Sequence, residues 1–144
     1  MNKRGYTLVE LLVCLAILGL LTGIATAPLF GKQRSRQLLS STIIGLSNDL
    51  RAARFAAMKE GRPYCVEIYA TNYTVSAQAP GQWEIIKRVY WPKGITRVGT
   101  LYVKLSFPAS GLFKEVGNNT VTLKDDRGHQ MQVIISGGGR IRIE

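Results

Sequence analysis

Lys3-Arg4-Gly5-Tyr6-Thr7-Leu8-Val9-Glu10-Leu11-Leu12 opens the chain, and no further charged residue follows through Phe30. Two cations, a glycine and a long apolar run with one carboxylate near its start do not read as part of a soluble core. Tyr6 to Phe30 makes about 37 Å of helix at 1.5 Å per residue, enough for a bilayer core of about 30 Å. The basic flank keeps the N-terminal end cytoplasmic and sends the rest outward. A secretory signal peptide is the competing reading, with Ala25-Thr26-Ala27 as its cleavage site. A signal's apolar region is shorter and carries no acid, whereas here Glu10 lies inside the run and the helical pattern continues past Pro28.

Gly19 and Gly23 weaken the helix, and Pro28 removes a backbone donor, which predicts a kink at Gly19 to Pro28. Beyond it Leu39, Ile43, Leu46, Leu50, Ala53 and Ala57 alternate in steps of four and three, the spacing of one helix face. Arg36, Ser40, Asn48, Arg51 and Arg54 populate the other faces. Lys59 suits the last turn, and Gly61 and Pro63 end the helix, giving a rod of roughly 80 Å from Tyr6 to Glu60. From Tyr64 the period becomes two. Strands are expected at 64–70, 73–77, 83–90, 95–98, 101–107, 120–124, 130–136 and 140–143, separated by turns rich in Pro, Gly, Asn and Asp. The fold class is therefore α+β, a long N-terminal helix packed on a small antiparallel β-sheet domain.

Lys and Arg number 19 against 9 Asp and Glu, a formal charge of +10. Such an excess favours anionic partners: nucleic acid, lipid headgroups or an acidic protein face. Cys14 in the apolar run, the distant Cys65 and the single His129 exclude both a disulfide scaffold and a zinc cluster. His129 follows a turn and has no acid or nucleophile at an interpretable spacing. No phosphate loop or nucleotide-binding glycine pattern is present. No catalytic residue, metal or cofactor is expected, and the chain reads as a non-enzyme. Trp83, Trp91 and the tyrosines read as core.

Glu10 is the strongest candidate for a functional side chain. A carboxylate in lipid costs about 2.5 to 3.5 kcal/mol at a helix centre and calls for a partner. Either Lys3 or Arg4 supplies it internally, or a positive group on a neighbouring copy of a similar helix does, stacking helices in register. Arg140 and Arg142 are two apart in the last strand, so they share a face while Ile141 and Ile143 take the other. They are either a charged, solvated strand edge that deters edge pairing, or a phosphate-gripping pair approached over Gly137-Gly138-Gly139. Lys124 and Arg127, with Lys87 and Arg88, would extend such a DNA-contacting patch.

Gly5-Tyr6-Thr7-Leu8-Val9-Glu10-Leu11-Leu12 resembles the prepilin N-terminus of type IV pilins and type II secretion pseudopilins, with Tyr6 where phenylalanine is usual. Tyr73-Thr74-Val75, Trp83, Tyr90-Trp91-Pro92-Lys93-Gly94-Ile95, Phe107-Pro108-Ala109-Ser110-Gly111 and Val133-Ile134-Ile135-Ser136 through Gly139-Arg140-Ile141-Arg142-Ile143 resemble the GspH/FimT branch of minor pilins. The resemblance implies a type IV pilin-like fold. It also implies cleavage after Gly5 by prepilin peptidase, N-methylation of Tyr6, and Glu10 neutralising the N-terminal amine of an adjacent subunit. It divides the chain into a leader, 1–5, a transmembrane and assembly helix, 6–30, an amphipathic helix half, 31–62, and a β-rich domain, 63–144. The implied partners are other pilins or pseudopilins in a filament, the peptidase, an inner-membrane assembly platform, and membrane lipid before assembly. The implied location is the bacterial inner membrane, crossed once, with the C-terminal domain periplasmic or otherwise extracytoplasmic. The implied function is that of a minor subunit of a type IV pilus or type II protein secretion filament. The alternative is a minor pilin that binds DNA for uptake, because some FimT-like pilins with a terminal Gly-Arg-x-Arg pattern resemble this chain.

Overall fold

The structure, a computed structural model, describes residues 7–99, 102–113 and 119–144, with the side chains of 22–33 outside that description. Helix α1 runs Leu8–Glu60. The chain forms two compact units, Met1–Arg34 and Ser35–Glu144. In the first, the large apolar side chains from Leu8 to Leu21 are all more than half exposed. Among the described residues no helix is long and apolar enough to cross a membrane. The fully described stretch Leu8 to Leu21 makes only about 21 Å of helix, and the remainder of the expected span 6–30 falls largely on residues 22–33. The helical assignment continues through Gly19 and Pro28, and the side chain of Pro28 lies outside the described residues.

The second unit is built on the helix stripe legible in the sequence. Leu39, Ile43, Leu46, Leu50 and Ala57 are fully buried and Ala53 nearly so. The helix stops where the chain takes a left-handed turn at Gly61, φ 65°, a conformation that costs glycine no steric penalty. Glu60 fixes this corner: its Oε2 accepts from Arg62 Nε at 2.7 Å and from the Tyr64 hydroxyl at 2.9 Å.

Eight strands follow: β1 Tyr64–Tyr69, β2 Asn72–Ala79, β3 Gln82–Tyr90, β4 Ile95–Val98, β5 Tyr102–Phe107, β6 Thr120–Asp125, β7 Gln130–Ile135 and β8 Ile141–Ile143. They form two antiparallel four-stranded sheets, ordered β3-β2-β1-β5 and β4-β6-β7-β8, where the sequence led us to expect one. The chain first crosses between β3 and β4, returns to the first sheet for β5, and crosses again before β6. Pro92 lacks a ladder donor and Gly94 takes φ 91°, so the chain leaves the first sheet and Ile95 N bonds back to Pro92 O at 3.0 Å. One core joins the helix stripe to the inner residues of both sheets, among them Val66, Ile68, Leu105 and Phe107 from the first and Val121, Leu123, Val133 and Ile135 from the second. Tyr73 stacks on Trp91 with centroids 5.1 Å apart, and Phe107 on Phe113 at 5.8 Å.

A polar tie complements this core. Asp49 on the helix accepts from the Tyr73 hydroxyl at 2.6 Å and from Lys87 Nζ at 2.7 and 2.8 Å. Lys87 reaches the helix side because a bulge interrupts the β2–β3 register: Val75 pairs with Lys87 but Ser76 pairs with Ile85, leaving Ile86 extra. The same bulge puts Ile85 and Arg88 together on the outer face.

Candidate functional site

Gly5 and Tyr6, the expected processing residues, lie outside the described residues, as do Lys3 and Arg4. Thr7 is the first described residue and acts as the helix cap. Its hydroxyl accepts the Glu10 N–H at 3.3 Å, and its carbonyl accepts those of Glu10 and Leu11 at 3.1 and 3.2 Å. Thr-x-x-Glu is the capping-box pattern, and the helix dipole favours an acid in the first turn. Glu10 is exposed, with its carboxylate at the end of the helix where negative charge is least costly. Around it Leu8, Val9, Leu11, Leu12 and Val13 are 52–77 % exposed. A helix apolar on all sides is made to be covered by lipid or by other helices. Gly19 sits in this helix with nothing within 4 Å of where a Cβ would be.

The C-terminal arginines are held out by two other arginines. Arg54 on α1 donates from Nε to Gly111 O at 2.8 Å, from Nη1 to Gly139 O at 2.7 Å and from Nη2 to Gly138 O at 3.1 Å. Arg51 donates to Ile141 O at 3.3 Å. The close approach at Gly139 is therefore made by the protein's own guanidinium. A Cβ there would lie 2.8 Å from Arg54 Cζ and Nε, and φ is 75°. Ser136 N donates to Arg140 O at 3.0 Å and closes the glycine turn. Ile141 is buried and Ile143 packs on the core, so Arg140 and Arg142 project together and exposed, the alternation the sequence predicts.

The wider basic set does not converge. Lys124 and Arg142 share the outer face of the second sheet, but Lys124 pairs with Gln130 and Arg142 with Ile134. Four residues along β7 and two strand spacings put them about 16 Å apart. Arg127 lies in the β6–β7 turn. Lys87 is bound to Asp49, and Arg88 lies on the first sheet.

His129 has an acid after all. Its Nδ1 is 2.7 Å from Asp125 Oδ2, while Asp125 Oδ1 accepts the backbone N–H groups of Arg127 and His129 at 3.0 and 2.8 Å. Burial alone would raise the Asp125 carboxyl, but the bonds from His129 and Arg127 hold it below its usual value. The pattern Asp-x-x-x-His across a turn ending in Gly128 carried that signal. This cluster braces the turn. Cys65 is buried, which pushes its thiol up to about 11 and leaves it inert. Trp91 is core as expected, but Trp83, Tyr90 and Tyr102 are 45–65 % exposed. The outer face of the first sheet carries them, and among the described residues no second layer covers it. Among the described residues no group of His, Cys, Asp and Glu could hold a metal ion.

Comparison with known proteins agrees with this anatomy. Residues 1–26 match the model of the prokaryotic N-terminal methylation motif, and residues 45–139 match that of type II transport protein GspH. Curated protein sequences yield no significant match. Among solved structures the chain is similar to the minor pseudopilin EpsH from the type 2 secretion system of Vibrio cholerae, with a TM-score of 0.61 and 15 % identity over 74 % of this chain and 95 % of that one. At that identity the likeness speaks for the fold, a helix packed on antiparallel sheets. The GspH match spans well over half of the residues, and the chain belongs to the GspH family of type II transport proteins.

Proposed function

We propose that the chain is a minor subunit of a type II secretion or type IV pilus filament, a structural protein with no catalysis of its own. The observation that carries this reading is the exposed apolar helix from Leu8 to Leu21 with Thr7 capping it and Glu10 in its first turn. Cleavage after Gly5 by prepilin peptidase frees the amine of Tyr6, which is then methylated. Glu10 pairs with such an amine on a neighbouring subunit, an ion pair that strengthens as lipid or packed helices exclude water. Before assembly the segment 6–30 resides in the inner membrane with the domain on the extracytoplasmic side. An assembly platform then draws it into the filament beside other pilins or pseudopilins. Gly19 and Pro28 give the helix a place to bend on that transfer.

Replacing Glu10 by alanine should abolish incorporation into filaments while membrane insertion and domain folding persist. Normal incorporation of that variant would overturn the assigned role. The paired exposure of Arg140 and Arg142 favours a second reading, DNA capture during uptake. Among the described residues two arginines project together, so the slope of log binding constant against log salt should be about −2 for duplex DNA. It should vanish in the double alanine variant, and absence of binding at low salt would end this reading.

A further inference from the structure

The outer face of the first sheet, opposite the helix, has no part in the assembly reading, yet it is not an ordinary solvated face. Cys65, Thr74 and Ser76 point outward and are nonetheless buried, at 1 %, 3 % and 4 % exposure. Side chains from the two sheet edges reach across them, with Lys104 Nζ of β5 lying 5.6 Å from the Trp83 ring of β3. Beside them is a cavity of about 290 Å³ between β1, β2 and β3. That is at the lower edge of the roughly 300–1,000 Å³ usual for ligand pockets, and suits one or two side chains.

The hydrogen-bonding inventory of this cavity is one-sided. The acceptors are taken: Glu67 Oε1 accepts from the Tyr102 hydroxyl at 2.9 Å and Oε2 from the Tyr69 hydroxyl at 3.1 Å, with Lys104 Nζ at 3.6 Å. Thr71 likewise donates to Asn72 Oδ1 at 3.2 Å. The guanidinium is free. Arg88 has no ion-pair or hydrogen-bond partner among the described residues. The Thr74 hydroxyl, directly across the ladder from Arg88, is buried and has none either. Ile85 and Tyr90, 52 % and 65 % exposed, wall the opening with apolar surface.

We propose that this cavity binds a carboxylate side chain, flanked by an apolar or aromatic residue, from an acidic segment of a partner protein. Arg88 takes the carboxylate through its paired N–H groups, and the flanking residue lies on Tyr90 and Ile85. The formal charge of +10 steers such a partner toward the chain. Single-stranded nucleic acid, the other ligand that aromatic side chains on a sheet would suit, needs a row of cations along its backbone. Here Lys104 is held by Glu67, so among the described residues of this face a single uncompensated guanidinium remains.

The test uses the full-length, 15N-labelled chain in detergent micelles, unassembled, so its outcome does not depend on whether the chain enters a filament. It is titrated with the capped peptide Ser-Tyr-Asp-Gly-Ser and with its asparagine counterpart. The aspartate peptide should shift the Arg88 Nε–H and the Thr74 and Tyr90 amides saturably, and the asparagine peptide should bind at least about tenfold more weakly. Arg88→Met should lose at least about tenfold and Tyr90→Ala several-fold, with the remaining amide spectrum unchanged as the control for folding. Arg88→Lys keeps the charge but lacks the fork, and should fall between. Equal binding of the two peptides, equal binding by Arg88→Met, or no shift at all overturns the proposal. So does tighter, Arg88-dependent binding of oligothymidylate, which would make the face a nucleic-acid site.

Discussion

Replacing Arg54 by methionine should destabilise the domain more than any other exchange of a partly exposed polar residue. The guanidinium joins α1 to two separate loops through three bonds, to the carbonyls of Gly111, Gly138 and Gly139. Methionine keeps the length and the packing of the stem and removes only the donors. A bond from a charged donor contributes about 1.5–3 kcal/mol when well shielded, and the Nη2 bond is exposed, so the three together amount to roughly 2–4 kcal/mol. Methionine also leaves carbonyls for water to satisfy, which limits the loss. At about 2–4 °C per kcal/mol for a chain of this size, the melting temperature should fall by roughly 5–15 °C. Urea titration followed by circular dichroism, on the full chain in detergent, measures it. Gly139→Ala should act in the same direction, because its Cβ would strike the Arg54 guanidinium and its φ is left-handed. A loss below about 0.5 kcal/mol for Arg54→Met would refute the idea that this residue organises the display of Arg140 and Arg142.

Asp49→Ala should cost about 1–3 kcal/mol in the same titration, nearly all of it from stranding the buried Tyr73 hydroxyl. Lys87→Ala, which breaks only the half-exposed ion pair, should cost at most about 1 kcal/mol, and the reverse ranking would contradict the assignment. Asp125 is held below its ordinary value of 3.8, so near that pH the unfolded chain binds more protons. Its contribution is therefore complete above about pH 5 and lost as the pH falls through the folded value. Asp125→Asn should lower the melting temperature near neutral pH and flatten its decline between about pH 5 and pH 3, a change that parallel wild-type and variant curves would disprove.

The helix face was legible because six large or small apolar residues keep a helical period that no strand can satisfy, from Leu39 to Ala57. All eight strands were legible from alternation and from the Gly, Pro, Asn and Asp that separate them. Their division into two sheets was not, since β5 pairs with β1 across the intervening strands, and local pattern carries no record of pairing at that range. The bulge at Ile86 escaped for a related reason. Its residue is an ordinary strand former, and only the register against β2 makes it extra. Arg54 read as a solvated face because a cation on the polar side of a helix usually is one. The Asp125–His129 contact, by contrast, was within reach of the sequence, being local to one turn. Of the candidate site, the outward projection of Arg140 and Arg142 followed from strand geometry alone, whereas the distance to Lys124 depended on sheet order. Trp83 and Tyr90 were read as core on residue type, but they lie on the outer sheet face, over which the described residues place no further layer.

The account turns on what happens at the first residues of the chain. Intact-mass and N-terminal analysis of the protein extracted from membranes tests it most directly. Removal of residues 1–5, with one methyl group added to the amine of Tyr6, is the result the filament-subunit account predicts. A mature chain that still begins at Met1, or one cut near Ala27, would contradict it.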